Sequence, residues 1–344
     1  MKNFFISLVS VIVFIVSISI LVVGVGSKGN NNEKNSNDIE KYNIKAKDIV
    51  FNNQNGGGPK IKVFITKEKR IVEMYLEEYV RGVVAGEMPA EFALEALKAQ
   101  SVVARTYAFS HMEAFGGKRC GQAKGADICD SVHCQVYLGK DEVINSWSKS
   151  KSSEYWNKIT DAVTSTLGQV LTYNGKLVQY PLYFSTSSGR TENAKDVFNI
   201  EEPYLKSVQS NGEEISSKYK TSIKISYNTL ASKLNKSYSK AGLNSAKIKN
   251  QIKILGNTPG GSVKNIKIGK ITITGVEFRT ALGLESANFT LKFNAQNIEI
   301  LCRGYGHDVG MSQWGANSMA QKGDKFTDVL MHYYSGVKVE KMRY

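Results

Sequence analysis

EEYVRGVVAGEMPAEFALEALKAQSVVARTYA, residues 77–108, is the stretch from which the fold is read. From Met74 to Phe115 apolar residues return at helical spacing, first Leu76, Tyr79, Val80, Val83 and Val84, then Leu94, Leu97, Ala104 and Ala108, which predicts two helices. Between them lies Gly86-Glu87-Met88-Pro89. Glycine suits a helix end, and proline suits the first turn of the next helix while pushing Met88 out of helical geometry. Glu87 is thus expected in a tight turn, just ahead of a second helix starting near Pro89. Its neighbours Val84, Ala85, Met88 and Phe92 would disfavour ionisation, as a general acid needs, whereas the positive end of the following helix would favour the carboxylate. Capping of that helix is the non-catalytic alternative. Lys98, Ser101 and Arg105 fall at i, i+3 and i+7 and share a stripe. Such stripes are usually solvated, yet Arg105 is embedded in SVVARTYAF, so its guanidinium is expected partly buried and facing a cleft, where with Glu87 it would orient a polar substrate.

Moving toward the C-terminus, QVLTYNGKLVQY (Gln169 to Tyr180) alternates on both sides of Asn174-Gly175 and predicts a type I′ hairpin. PLYFSTSSGR reads as a further strand running into an aromatic and hydroxyl-rich loop, and KITITGVEF and FTLKF as later strands. The expected fold class is α+β (mixed), with a helical segment carrying the Glu and a β-rich region. CRGYGHDVGMSQWGA (Cys302 to Ala316) packs glycines, Tyr305, His307, Ser312, Gln313 and Trp314 together. Glycine admits a ligand close to the backbone, aromatic rings stack on sugar faces, and Gln, Ser and His give directional hydrogen bonds. A tight turn at a domain junction is the structural alternative.

Cys120, Cys129, His133 and Cys134 lie within CGQAKGADICDSVHC. Three sulfurs and an imidazole match the ligand set of a structural zinc site, although the spacing is not that of a standard finger. Disulfides or free thiols are the alternatives. No His-Glu-x-x-His helix is present in the sequence, which argues against a catalytic zinc of that kind.

Phe4 to Val23 lies in a stretch with no charge between Lys2 and Lys28 and matches the roughly 20 apolar residues that span a bilayer. Residues 1–26 are therefore expected to be a short cytoplasmic stub and an uncleaved anchor, with the bulk of the chain outside the cytoplasm. Residues 27–59, rich in Asn, Lys and Gly, read as a flexible linker, and residues 60–344 as one ectodomain with IKVFI as its first strand. The 344-residue chain is 42% apolar with net charge +14, which excludes disorder over most of its length, and no internal repeat points to a solenoid or propeller. A Lys-rich, β-containing subregion is expected over 206–300. Between Ile215 and Lys270 it holds twelve Lys and no Asp or Glu. That block reads either as a solvated face or as a surface drawn to an anionic polymer or membrane. No nucleic-acid reader motif accompanies it.

Residues 77–108 together with YFSTSSGRTE (Tyr183 to Glu192) and GYGHDVGMSQWGA (Gly304 to Ala316) resemble the stage II sporulation protein D family, with the three blocks in family order. The resemblance implies a membrane-anchored peptidoglycan lytic transglycosylase that cuts the MurNAc-GlcNAc bond of peptide-stripped strands during forespore engulfment, in the septal space. It makes Glu87 the single catalytic acid/base. It also assigns Lys98, Arg105, Tyr183, Ser187, Ser188, Tyr305, His307, Ser312 and Gln313 to the substrate, and Cys120, Cys129, His133 and Cys134 to a structural Zn2+. The implied partners are the glycan strands, a sporulation amidase and a membrane protein of the engulfment complex. Glu192 and Asp308 are the other acids worth testing for a hydrolase with two carboxylates. Amidase-enhancer relatives suggest a different role, that of a wall-binding activator of a partner N-acetylmuramoyl-L-alanine amidase.

Overall fold

A computed structural model describes residues 58–342, a mixture of helices and small sheets. In chain order the elements begin with strands β1 (Lys60–Ile65) and β2 (Arg70–Tyr75) and helices α1 (Leu76–Glu87) and α2 (Leu94–His111). They continue with β3 (Ile128–Cys129), α3 (Lys140–Ser146), α4 (Ser152–Ser165), β4 (Gln169–Tyr173), β5 (Lys176–Leu177), β6 (Tyr183–Phe184) and α5 (Ala194–Phe198). Next come β7 (Lys220–Ser226), α6 (Tyr227–Ser237), α7 (Ile248–Gln251), β8 (Ile252–Asn257), β9 (Val263–Ile268), β10 (Ile271–Thr274) and α8 (Gly275–Leu282). The chain closes with β11 (Phe289–Phe293), β12 (Asn297–Arg303), β13 (Met311–Ser312), α9 (Gln313–Gln321), α10 (Phe326–Tyr333) and β14 (Lys338–Lys341). Two compact units result: one holds residues 58–182 with 319–342, the other residues 183–318. The anchor expected over 4–23 lies outside the described residues, and among the described residues no helix is long and apolar enough to cross a membrane.

The first unit is built around α2, buried nearly all round from Ala96 to Ser110 and packed against α1, α4, β4 and α10. A helix apolar on every side belongs in a core, and here small residues such as Ala96, Ala99, Ala104 and Ala108 let its neighbours approach. The second helix starts at Leu94 with Ala93 as N-cap, not near Pro89, because residues 89–93 form a loop first. Glu87 therefore ends α1 and does not cap α2. The hairpin forms as expected: Thr172 pairs with Leu177, and Asn174 and Gly175 take φ of 50° and 74°, the left-handed pair a type I′ turn requires. The third strand of that sheet is β14, antiparallel to β4.

In the second unit β11, β12 and β7 form one antiparallel sheet and β8, β9 and β10 another. Their apolar faces meet α6 and α8 in a core that includes Leu230, Leu234, Ile266, Phe278, Ile298 and Cys302. The expected strand over KITITGVEF stops at Thr274, whose hydroxyl and Glu277 form a reciprocal capping box that turns the chain into α8. Tyr183 and Phe184 do form a strand, but they pair in parallel with Met311 and Ser312 rather than with the hairpin.

Candidate functional site

Glu87 sits at the C-terminal end of α1, half-buried, and its Oε1 accepts the Val136 N–H at 2.6 Å. A strap over residues 135–138 makes this contact. Gln135 donates to the Tyr79 hydroxyl at 3.2 Å and the Ala104 carbonyl at 3.3 Å, while the Leu138 N–H reaches the Gly82 carbonyl at 3.3 Å. The strap lies this close because α1 presents glycines at i and i+4. A Cβ on Gly82 would stand 2.3 Å from the Tyr137 ring, and one on Gly86 2.8 Å from the Val136 carbonyl. The glycine before Glu87 thus serves close approach as well as helix termination.

Immediately before the strap, Cys120, Cys129, His133 and Cys134 bring three Sγ and one imidazole nitrogen within 4.8 Å of one another. His133 Nδ1 lies 3.1, 3.9 and 3.7 Å from the sulfurs of Cys120, Cys129 and Cys134, and Cys129 Sγ lies 3.5 Å from Cys134 Sγ. Ligands of one tetrahedral zinc ion stand about 3.5–3.8 Å apart, so the cluster has the dimensions of such a cage. None of the four cysteines forms a disulfide. Hydrogen bonding from Cys120 and Cys134 pulls the Cys129 thiol down, while Cys134 is pushed up by Cys120 and Cys129. One thiolate thus suppresses the next, and a bound cation is what would let all three ionise. Pairing of β3 alongside β1 fixes Cys129 opposite Phe64, and Asp127 and Asp130 accept the Lys62 and Thr66 N–H groups at 2.9 and 3.0 Å.

Arg105 corrects the expectation of a cleft-facing guanidinium. It is completely buried and bidentate to Glu77, with Nε and Nη2 each 2.7 Å from a carboxylate oxygen, and its remaining N–H groups reach the carbonyls of Gln169, Ser101 and Val163. With its donors engaged inward, it ties α2 to α1, α4 and β4 and has none to give a ligand. Lys98, half-buried, pairs with Glu95 at 2.8 Å, and Glu95 also accepts the Phe326 N–H at 2.9 Å. Ser101 is buried and donates to the Leu97 carbonyl at 2.7 Å.

In the second unit the two polar motifs are neighbours. Beyond the β6–β13 pair, Thr186 and Tyr305 exchange backbone hydrogen bonds at 3.1 and 2.7 Å, and the Trp314 N–H reaches the Ser185 carbonyl at 3.0 Å. Glu213, wholly buried, joins them: it accepts the Ser210 hydroxyl at 2.6 Å, the Ser187 N–H at 3.0 Å and the Ser312 hydroxyl at 3.0 Å. Ser187 and Ser312 are themselves buried, so they hold the loops together rather than offering hydroxyls to a ligand. Gln313 is also buried. Tyr183, Ser188, Tyr305 and His307 keep partial exposure. Tyr305 lies under the Lys218 ammonium at 5.3 Å, and burial raises its phenol to about 12. His307 Nδ1 accepts the Val309 N–H at 3.1 Å, its ring lies against Phe184 and Phe198, and burial followed by the Arg279 charge lowers it to about 3. It is a neutral imidazole at physiological pH.

Glu192 and Asp308 are also buried. Glu192 accepts the Thr258 hydroxyl and the Ser262 N–H at 2.6 and 2.9 Å, whereas neither Asp308 oxygen has an aligned donor, although the Ser187 hydroxyl and Ser188 N–H lie beside it. Sequence reasoning missed Glu77, Gln135 and Glu213. No local pattern marks any of them, because each acts on residues far along the chain.

A family model described as stage II sporulation protein matches residues 65–173. The chain is 40% identical over 281 residues to the stage II sporulation protein D of Bacillus subtilis (strain 168), covering 82% of this chain and 79% of that protein. Identity to the Bacillus amyloliquefaciens protein of the same name is also 40%, over 82% of this chain and 78% of the relative. The chain is 30% identical over 305 residues to an amidase enhancer of Bacillus subtilis (strain 168), covering 75% of this chain and 39% of that longer protein.

Proposed function

The chain belongs to the stage II sporulation protein D family, and from that premise we propose that it is a peptidoglycan lytic transglycosylase with Glu87 as its one acid/base, acting during forespore engulfment. The observation that carries this reading is the carboxyl group of Glu87 at a helix end, accepting the backbone N–H of Val136. An N–H on a rigid strap fixes the orientation of a carboxyl group that must serve two proton transfers in succession. As acid, Glu87 gives its proton to the oxygen that leaves MurNAc C1 toward GlcNAc. As base, it then takes the proton of the MurNAc 6-hydroxyl, whose oxygen bonds to C1 and closes the 1,6-anhydro ring. No water is consumed, and Glu87 returns to its starting protonation state. Tyr183, Tyr305 and His307, each partly exposed, supply glycan contacts, whereas the Ser188 hydroxyl is enclosed.

Zn2+ held by Cys120, Cys129, His133 and Cys134 would act as a structural cross-link. Cys134 and the strap residue Gln135 are adjacent, so this cage anchors the segment that orients Glu87. Residues 1–26 are proposed as the membrane anchor and 27–59 as its linker, leaving the rest of the chain outside the cytoplasm.

The likeness to an amidase enhancer favours a second role, binding wall polymer and activating a partner amidase, which is compatible with the first. Incubation of the protein and its Glu87→Gln variant with peptide-free glycan strands, followed by mass spectrometry, tests both. Anhydro ends from the wild type, reduced about 10³-fold in the variant, support the transglycosylase. Reducing ends without the ring indicate hydrolysis. No cleavage by a folded, glycan-binding wild type leaves the activator as the function, in which case Glu87→Gln does not alter amidase stimulation.

A further inference from the structure

The twelve lysines between Ile215 and Lys270 stand without an arginine, an aspartate or a glutamate in that stretch, and the glycan reading leaves them without a task. Three are answered by acids from elsewhere in the second unit, since Lys218, Lys224 and Lys264 face Glu285, Glu299 and Asp196. Six others form a track. Lys233 and Lys236, three apart on α6, lie on its exposed side, while Leu230 and Leu234 enter the core. Lys240 follows in the turn after the helix. The hairpin between β9 and β10 docks on that turn: the Lys270 N–H reaches the Ala241 carbonyl at 3.0 Å, and the Gly269 N–H reaches the Gln251 carbonyl at 2.7 Å. The Lys270 stem passes over Gly242, where a Cβ would stand 3.8 Å from its Cε. Beyond the hairpin, Lys267 and Lys253 oppose each other on the outer face of β9 and β8. All six lysines are exposed, and none has an ion pair or a side-chain hydrogen bond among the described residues. The acid beside the track, Glu277, is already engaged, accepting the Thr274 N–H and hydroxyl at the start of α8.

Like charges directly opposite each other weaken a sheet, and a bridging anion relieves the Lys253 and Lys267 pair. Lysine in place of arginine offers compact point charges without a fixed fork, which suits repeated phosphate groups that arrive in no set orientation. The placement of the six decides between a membrane and a polymer. α6 and the β8, β9 and β10 sheet enclose one core, so the outer side of the helix and the outer face of the sheet turn away from each other. A flat lipid surface touches one of these sides at a time, whereas a flexible chain follows the lysines from one side to the other around the β9–β10 turn. We infer that this track binds a flexible linear polymer of phosphate diesters, laid from Lys233 and Lys236 over the junction of Lys240 and Lys270 to Lys253 and Lys267. Each ammonium group neutralises a phosphate and releases its counterion, so the binding is multivalent and salt-sensitive. It gives the chain a second ligand, away from Glu87, and requires no glycan cleavage.

Fluorescence anisotropy of the full-length protein with labelled poly(glycerol phosphate) tests the assignment. Phosphatidylglycerol vesicles and oligothymidylate, at equal phosphate concentration, serve as the rival partners. Three double variants carry the same net charge: Lys233→Gln with Lys236→Gln on the helix, Lys253→Gln with Lys267→Gln on the sheet, and Lys62→Gln with Lys67→Gln in the first unit. The wild type is expected to bind the polymer and to lose affinity by about tenfold or more between about 50 and 200 mM salt. The helix and sheet variants are each expected to bind about tenfold more weakly at low salt, and the first-unit variant to bind as the wild type does. The sheet variant is expected to melt no lower than the wild type, which separates lost binding from lost folding. No polymer binding at low salt, equal losses in all three variants, or a loss confined to the helix pair or the sheet pair overturns the track. Tighter binding to the vesicles or to oligothymidylate than to the polymer overturns the choice of partner.

Discussion

In the first unit the large buried charge is a cation with its own anion: Arg105, wholly enclosed, grips Glu77 with both arms of its fork. The second unit buries three carboxylates, Glu192, Glu213 and Asp308, while the many lysines of its sequence point outward. For Glu213 and Asp308 the consequence is a strengthened hold on protons rather than pairing with a cation. Burial pushes Glu213 up to about 7 despite three hydrogen bonds, and pushes Asp308 well above the usual carboxylate range, helped by the charge of Glu192. One core is neutralised by an ion pair and the other by protons, so their stabilities should answer to different perturbations.

Metal removal should separate the units most strongly. Structural zinc in small sites is worth about 10–16 kcal/mol of apparent binding free energy, so chelation or Cys129→Ser should unfold the region around the strap, seen as early amide exchange at residues 120–138, with the second unit protected as before. Equal protection with and without chelator would break the zinc assignment. Next in size, Arg105→Ala leaves Glu77 facing a vacated core and should cost about 3–5 kcal/mol, read as a fall in the denaturant midpoint of the first unit. A loss below ~1 kcal/mol would show that the pair is dispensable.

The proton-neutralised core should show its own pH dependence. Because the folded pKa of Glu213 lies above the ordinary carboxylate value, the native state keeps a proton that the unfolded chain has released. Stability of the second unit should therefore fall as pH rises from about 4.5 to about 7 and then level off, by on the order of 3 kcal/mol, with Asp308 acting in the same direction. Trp314 is the only tryptophan of that unit, so replacing Trp147 and Trp156 by Phe isolates its unfolding signal. Glu213→Gln should remove the Glu213 share of the slope between about pH 4.5 and 7 and leave the share of Asp308; an unchanged slope would show that Glu213 does not contribute. The smallest effect is on the surface, where Lys253 and Lys267 stand directly opposite each other on β8 and β9. Lys267→Glu should raise the melting temperature of the second unit by about 1 °C at low salt, and less at high salt. No change would mean the two ammonium groups already point apart.

Local signals carried much of the organisation. The apolar spacing over Leu76 to Ala108 gave the two helices, and Asn174-Gly175 gave the hairpin, because both depend on residues a few positions apart. Pro89 misled on the start of α2: proline permits a helical first turn without compelling one, and five residues of loop intervene before Leu94. The serine-rich and C-terminal motifs were recognised as polar and unusual, but their division of labour was not visible. Ser187 and Ser312 face Glu213, while Ser188 and Tyr305 retain exposure.

The sequence alone determined the family, the position of Glu87 between two helical segments and the grouping of Cys120, Cys129, His133 and Cys134, since each is written in contiguous residues. Only the tertiary structure decided which polar groups are occupied. Arg105 meets Glu77 across 28 positions, Val136 meets Glu87 across 49, and Ser312 meets Glu213 across 99. A hydrogen bond is satisfied or left open by whatever the fold brings within about 3 Å, and spacing along the chain carries no record of that.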